Sequence, residues 1–315
     1  MSDREAIGID IGGTKTAAAR VRSDGTVLAY EARPTPAEDM AGTLATMVEA
    51  AEAVLTPEVH AVGVAAAGLV ERTTGMLRFA PNLAWRDAPL VDHLRDAMDL
   101  PVVAENDNTA AAWGEYVFGA GRGHPDMLLV GVGTGIGGGI VADGRLLRGA
   151  HGFAAEIGHI VMEPAGPPCG CGNRGCWEQL ASGQAVTRAG RRAVADGADT
   201  ILRELADGDP VRVNGPMVTA AAEEGDRVAV TILADVGGWL GLGIAGLVNV
   251  LDPEIVVVSG GVAAAGDLLL APARAAFGAA VEAAEFRPVV PLVAAALGDH
   301  TGVVGAAALV LEAPG

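Results

Sequence analysis

The chain is 315 residues long, more than one hydrophobic core usually spans, so two lobes are expected. Half of its residues are apolar, only 3% are aromatic and 45 are glycine, which calls for a core of Ala, Val, Leu and Ile with closely packed backbones. Lys and Arg number 21 against 39 Asp and Glu, and the net charge of -18 repels nucleic-acid phosphates and anionic membrane surfaces, so neither is an expected partner.

The opening run MSDREAIGIDIGG has no basic stretch followed by an apolar one, which sets the expectation of a cytoplasmic, reducing compartment. Residues 6–13 read as a buried strand running into a turn. TAAARVR and TVLAYEA follow as hairpin partners joined at Asp24-Gly25, a β-meander. Residues 37–55 are helical in composition, 59–68 form a strand, 89–100 an amphipathic helix and 101–106 a short strand, and DNTAAAWGEYVFG continues as a helix. Residues 126–147 then echo the first block, with an apolar strand, a Gly/Thr-rich turn, a second strand, an Asp143-Gly144 turn and a third strand. The apolar run 228–251 is long enough to span a membrane. Asp235 interrupts it and five glycines between Gly237 and Gly246 suit close helix packing, so a buried helix is expected. A buried strand at 254–261 leading into a Gly-Gly turn, a helix near 264–281, a strand at 289–297 and a helix through 302–312 complete an α/β chain of two related lobes.

Two glycine turns carry the first chemistry. In Asp10-Ile11-Gly12-Gly13-Thr14-Lys15 the glycines can present backbone N–H groups to an anion, Asp10 can hold a metal ion through water, and Thr14 or Lys15 can touch phosphate oxygens. A plain hairpin turn is the competing account. The matching turn Gly133-Thr134-Gly135-Ile136-Gly137-Gly138-Gly139 offers a second nest, so the two together can hold one polyphosphate. Neither has the Gly-Lys-Ser/Thr of a P-loop or the helix placement of a dinucleotide fingerprint. Glu105-Asn106-Asp107-Asn108 closes a strand and opens a helix. Asn106 or Asp107 can simply cap that helix, or Asp107 can act as the general base of a phosphoryl transfer with Asn106 bonded to the same substrate.

All three cysteines lie within PPCGCGNRGCWEQL. With His159 ahead of them, Cys169, Cys171 and Cys176 supply a complete tetrahedral zinc sphere with no open position, a structural site. Three cysteines cannot all pair as disulfides, a redox switch is the weaker rival, and Gly170, Gly172 and Gly175 provide the tight turns of a metal knuckle. Such a knuckle fixes Glu156, His159 and Glu178 for a polyhydroxylated ligand, where each glutamate would otherwise belong to the solvated surface.

The order DIGGTK, AAAGLV, ENDNTAAAWGE, GVGTGIGGGI, GFAAEIGH, CGCGNRGCWE and SGGV resembles the ROK family of repressors, open reading frames and kinases, and within it the ATP-dependent bacterial glucokinases. The resemblance spans nearly the whole chain, and the His plus CxCGxxGC segment is its most specific part. It implies a two-lobed actin-like, hexokinase-type (ribonuclease H-like) fold with the active site between lobes, and transfer of the γ-phosphoryl of ATP, with Mg²⁺, to the 6-hydroxyl of a hexose. It further implies Asp107 as base; Gly68, Asn106, Glu156, His159 and Glu178 as sugar ligands; the two glycine turns on the ATP phosphates; Ser259, Gly260 and Gly261 near the adenosine; and a homodimer or homotetramer. The lobes are placed at 1–110, completed by the C-terminal helix 300–315, and at 111–299. Family repressors carry a helix-turn-helix ahead of the first turn, whereas that turn begins here at residue 10. An actin-like ATPase with a conformational output is the other rival. Glucose is the expected sugar, with mannose, fructose, N-acetylglucosamine and N-acetylmannosamine as alternatives.

Overall fold

The computed structural model describes residues 4–81 and 83–311. The elements in chain order are β1 (Glu5–Ile11), β2 (Lys15–Arg22), β3 (Val27–Pro34), α1 (Met40–Glu52), β4 (Val59–Ala66), β5 (Leu69–Val70), β6 (Leu77–Phe79), β7 (Arg86–Ala88), α2 (Leu90–Met98), β8 (Val102–Asn106) and α3 (Asp107–Val117). There follow β9 (Met127–Val132), β10 (Ile136–Ala142), β11 (Arg145–Leu146), α4 (Glu178–Ala181), α5 (Gly183–Ala195), α6 (Leu202–Leu205), α7 (Gly215–Glu223), α8 (Arg227–Leu251), β12 (Ile255–Ser259), α9 (Asp267–Ala280), β13 (Leu292–Ala294) and α10 (Thr301–Leu311). The C-terminal helix expected at 300–315 reaches residues 312–315, which lie outside the described residues.

Two five-stranded sheets share one plan. The first has the order β3-β2-β1-β4-β8 and the second β11-β10-β9-β12-β13, so in each a three-strand hairpin run is extended on its other side by later strands. In the first sheet β1 pairs antiparallel with β2, from Glu5 opposite Arg22 to Ile11 opposite Thr16, and parallel with β4, while β4 pairs parallel with β8. The Asp-Gly turns fall where the sequence places them. Gly25 has φ +87 and Asp24 Oδ1 accepts from Thr26 N at 2.9 Å, and in the echo Asp143 and Gly144 both have positive φ. A small antiparallel sheet, β5-β6-β7, has no counterpart among the sequence expectations.

By compactness the chain forms two units, Met1–Leu129 with Gly138–Ala155 and Ala295–Gly315, and Val130–Gly137 with Glu156–Ala294. In the first unit one core gathers Ile7, Ile9, Ile11, Met47, Leu90 and Leu94 around the fully buried Trp85, and a second gathers Ala17, Ala19 and Val21 with Val303, Val304 and Ala307 of α10. Helix α10 approaches so closely that its backbone replaces side chains. A β-carbon on Gly8 would stand 1.8 Å from Val303 O, and one on Gly63 1.8 Å from Ala306 O.

In the second unit α8 is, among the described residues, the one helix long and apolar enough to cross a membrane by length and composition, with 56% of its most apolar window buried. It packs against α9 through its glycines: β-carbons on Gly237 and Gly241 would meet Leu269 O at 2.5 Å and Ala273 O at 2.1 Å. The helix expected near 264–281 is broken at Gly266, φ +57, into a 3₁₀ turn at Gly261–Ala265 and α9. The strand expected over 289–297 shrinks to β13, because Pro288 and Pro291 cannot donate to a ladder and pairing with β12 starts only beyond Pro291.

Gly63→Ala is expected to destabilise the protein by about 3 kcal/mol, since the added methyl cannot enter without moving α10 off the sheet. Chemical denaturation with m-value control reads this out; a loss below about 1 kcal/mol would show that α10 shifts freely.

Candidate active site

The first glycine turn joins β1 to β2. Gly12 N donates to Lys15 O at 3.0 Å and Thr35 N to Thr14 O at 3.1 Å, so the turn is tied to both β2 and the end of β3. Lys15 is exposed, with its Nζ 3.5 Å from the Tyr30 hydroxyl. Asp10, the last but one residue of β1, faces the N-terminal turn of α10, where a β-carbon on Gly302 would stand 2.3 Å from its Oδ2. Burial first, and then the nearby Asp107 charge, push the Asp10 carboxyl up to about 6, with Lys15 opposing. Gly302 carries no sequence signal; only the fold shows that it makes room for Asp10.

Asn106 and Asp107 occupy the corner between β8 and α3. Asn106 is the helix cap: its Oδ1 accepts from Asn108 N at 2.9 Å and Thr109 N at 3.1 Å, and its Nδ2 donates to Gly68 O at 3.1 Å. Gly68, φ +149, is held where a β-carbon would lie 2.2 Å from Phe79 O. Asp107 accepts from Asn108 N at 2.9 Å and Asn108 Nδ2 at 3.0 Å, yet burial outweighs these bonds and raises its pKa. The corner is braced by a pair the sequence reading did not single out. Buried Glu105 meets Arg148 Nε at 2.5 Å through Oε2, and its Oε1 accepts from Asn106 N at 3.2 Å.

In the second unit the turn between β9 and β10 is closed by Gly133 N donating to Gly135 O at 3.0 Å. Its carbonyls at Gly133 and Thr134 accept from Gly183 N and Gln184 N, at 2.9 and 3.3 Å, at the start of α5. A β-carbon would meet nothing within 4 Å at Gly133 or Gly261, and only Lys15 O, at 3.5 Å, at Gly12 of the first unit. None of these three is left-handed. The chain itself does not require glycine there, which leaves each backbone open to a ligand. Gly260 differs: it has φ +92 and lies against Val132 O after Ser259, the last residue of β12.

His159, Cys169, Cys171 and Cys176 converge, one ligand atom from each lying within 4.8 Å of all the others. Cys171 Sγ is 3.6 Å from Cys176 Sγ, and Cys169 Sγ is 3.7 Å from His159 Nδ1. Bonds of about 2.3 Å in a tetrahedron separate ligands by about 3.7 Å, so the four residues fit a zinc ion. The loop folds through Cys169 N to Asn173 O at 2.8 Å and Gly175 N to Pro167 O at 2.8 Å, with Gly172 and Gly175 left-handed. Gly170 also lies in a turn, the one closed by Gly172 N donating to Cys169 O at 3.1 Å, but its φ is not left-handed and a β-carbon would meet nothing within 4 Å, so that turn does not demand glycine at 170. Glu178, first residue of α4, stands beside this cluster, with Oε1 2.9 Å from Cys169 Sγ and 3.7 Å from His159 Nδ1. Glu156 is exposed and precedes the 3₁₀ turn Ile157–His159, to which its carbonyl is tied by His159 N at 3.1 Å.

A duplicated five-stranded sheet, with a glycine turn after the first strand of each copy, defines the two-lobed hexokinase-type class of α/β protein. The chain belongs to the ROK family, whose profile matches residues 6–313. It is 43% identical over 311 residues to the glucokinase of Streptomyces coelicolor, covering 97% of each chain. With the glucokinase of Halalkalibacterium halodurans it shares 38% identity over 325 residues, covering 99% of this chain and 96% of that one. The crystal structure of a ROK family glucokinase from Streptomyces griseus in complex with glucose and AMPPNP superposes with a TM-score of 0.89 at 42% identity, covering 97% of this chain and 98% of that one.

Two outcomes follow from this geometry. Because the folded pKa of Asp10 lies above its unfolded value of 3.8, the native state binds the proton more readily, so this residue's contribution to stability is lost as pH rises from about 4 to about 6. Comparing melting curves of wild type and Asp10→Asn across that window checks it: the difference between them should grow towards pH 6 in favour of the variant. Cys171→Ser should lose bound zinc and open the 156–178 loop to protease, read by elemental analysis and limited proteolysis. Full zinc content in the variant would remove Cys171 from the ligand set.

Proposed function

We propose that the protein is a glucokinase, transferring the γ-phosphoryl group of ATP to the 6-hydroxyl of glucose. The observation that carries this reading is Asp107: a carboxylate at the C-terminal end of a parallel strand, free of the capping role, with its proton affinity raised by burial. Relatives named glucokinase at 43% and 38% identity over nearly the full chain support the same reaction and sugar.

Asp107 acts as the general base that accepts the hydroxyl proton as the bond to phosphorus forms; a base with raised pKa takes that proton more readily at neutral pH. Asn106, through its hold on Gly68, keeps that strand end in register, and Gly68, Asn106, Glu156, His159 and Glu178 contact the sugar. Gly12, Gly13, Thr14 and Lys15 in one turn and Gly133, Thr134 and Gly135 in the other bind the ATP phosphates, with Gly260 and Gly261 near the nucleoside. Mg²⁺ bound with ATP supplies charge neutralisation on the phosphate oxygens, and Asp10 is the carboxylate placed to hold it through water. Zinc on His159, Cys169, Cys171 and Cys176 supplies a rigid cross-link under Glu178. Protonation of Asp10 is expected to slow turnover below about pH 6, and the raised pKa of Asp107 works in the same direction.

A coupled assay over glucose, mannose, fructose, N-acetylglucosamine and N-acetylmannosamine, with ATP or polyphosphate and with or without a zinc chelator, tests this. Glucose with ATP is expected to give the highest kcat/KM. No sugar-dependent ADP release with any of them would remove the kinase reading, and a higher kcat/KM with another hexose would move the substrate assignment to it. Asp107→Asn should lower kcat at least about 100-fold, about 2.7 kcal/mol of transition-state stabilisation, while glucose still binds. Near wild-type turnover would exclude Asp107 as the base.

A further inference from the structure

Glu178 is held on several sides within its own unit. Its backbone follows Trp177, whose N–H donates to Ile160 O at 2.8 Å and whose buried indole donates to Trp239 O at 2.9 Å. Its Oε1 faces Cys169 Sγ at 2.9 Å, with Gln179 Nε2 at 3.4 Å. The other oxygen, Oε2, lies over the glycine turn: a β-carbon on Gly135 would stand 2.4 Å from it and 3.5 Å from the carboxylate carbon, and would meet nothing else within 4 Å. Gly135 is not left-handed, so its conformation does not demand glycine. What a side chain there would displace is the Glu178 carboxylate.

The geometry points to Gly135 as a positioning residue for the hexose: by lacking a side chain it vacates the place that Glu178 Oε2 occupies, so a residue of the phosphate turn sets the sugar-binding carboxylate. This rests on the assignment of Glu178 to the hexose. A methyl at 135 would have to push Oε2 away by about 1 Å, and Cys169 and Gln179 lie against the other oxygen, so that movement also disturbs their contacts. A displacement of that size in a group placed for binding costs on the order of tenfold to a hundredfold. The same direction of projection, towards Glu178, keeps the methyl off the atoms that meet phosphate, so the effect falls on sugar and not on nucleotide.

The test is calorimetric titration of glucose and, separately, of AMPPNP into wild type, Gly135→Ala, Glu178→Asp and the double variant, each checked for zinc content and melting temperature. Gly135→Ala is expected to weaken glucose binding at least about tenfold while AMPPNP affinity changes less than about threefold. Because the shorter Asp clears the methyl, the double variant should bind glucose within about threefold of Glu178→Asp alone. Unchanged glucose affinity in Gly135→Ala, loss of nucleotide affinity alone, or additive losses in the double variant would each overturn the inference while leaving the kinase reading in place. If Gly135→Ala fails to fold but the double variant folds, relief of the clash supports it; failure of both places the need for glycine elsewhere and overturns it. A wild-type protein that binds no hexose overturns the kinase reading, and this inference with it.

Discussion

The backbone of α10 lies directly on the first sheet, and the first unit, which carries Asp10 and Asp107, depends on it. With so few aromatic residues in the chain, close approach replaces bulk: Val303 O and Ala306 O fill the places that β-carbons of Gly8 and Gly63 would take, on β1 and β4. Helix α3 is seated on α10 in the same manner, with Gly114 against Gly305 and the Trp113 indole donating to Ala308 O at 3.2 Å. One helix is therefore the common base for β1, which ends near Asp10, and for α3, which begins at Asp107. Gly302 at its start completes the arrangement by admitting Asp10. Asp10, whose pKa the Asp107 charge helps to raise, and Asp107 itself are thus carried on elements fixed by main-chain contact, which allows less play than side-chain packing would.

The second unit reaches the same rigidity by other means. Between Glu156 and Glu178 there is little apolar side chain to bury, and Ile160 and Val161 are themselves exposed. Order comes instead from backbone bonds such as those of Gly175 and from four convergent ligand atoms, while Trp177 anchors the far end in α8, its ring so close to Gly243 that a β-carbon there would lie 2.0 Å from it. The donor cluster substitutes for a core under a segment that must carry polar groups.

Much of this was legible in the sequence because the signals were local. Asp24-Gly25 and Asp143-Gly144 are turns that specify their own hairpins, the cysteine spacing specifies a ligand set, and the repeated strand-turn-strand pattern specifies duplicated sheets. What escaped depends on partners distant in the chain. Gly8 and Gly63 look like ordinary strand glycines until α10, about 240 to 300 residues further on, is laid across them. Glu115 offers no motif, yet it is fully buried and its carboxylate accepts from the backbone N–H groups of Ala120, Ala296 and Leu297 at 2.8 to 3.0 Å, fastening the segment before α10 to α3. The β5-β6-β7 strands and α6 are short, and their periodicity is too brief to declare itself, whereas α5, at 13 residues, is as long as α1, so length does not explain its absence from the sequence expectations.

The corner at Asn106-Asp107 shows why identity at a motif position is not enough to give a role. Either residue can cap α3, and a capping carboxylate receives N–H donors at the positive end of the helix, which favours its ionised form and weakens it as a base. Here the neutral amide of Asn106 takes the N–H groups of Asn108 and Thr109, and its other end is spent on Gly68. The bonds that Asp107 accepts, chiefly those from Asn108, do not offset burial, and its pKa rises. Exchanging the two side chains would preserve the cap and the hydrogen-bonding capacity of the corner, yet it would hand the carboxylate to the helix terminus. The order Asn then Asp, and not merely the presence of both, is what leaves a proton acceptor at the strand end.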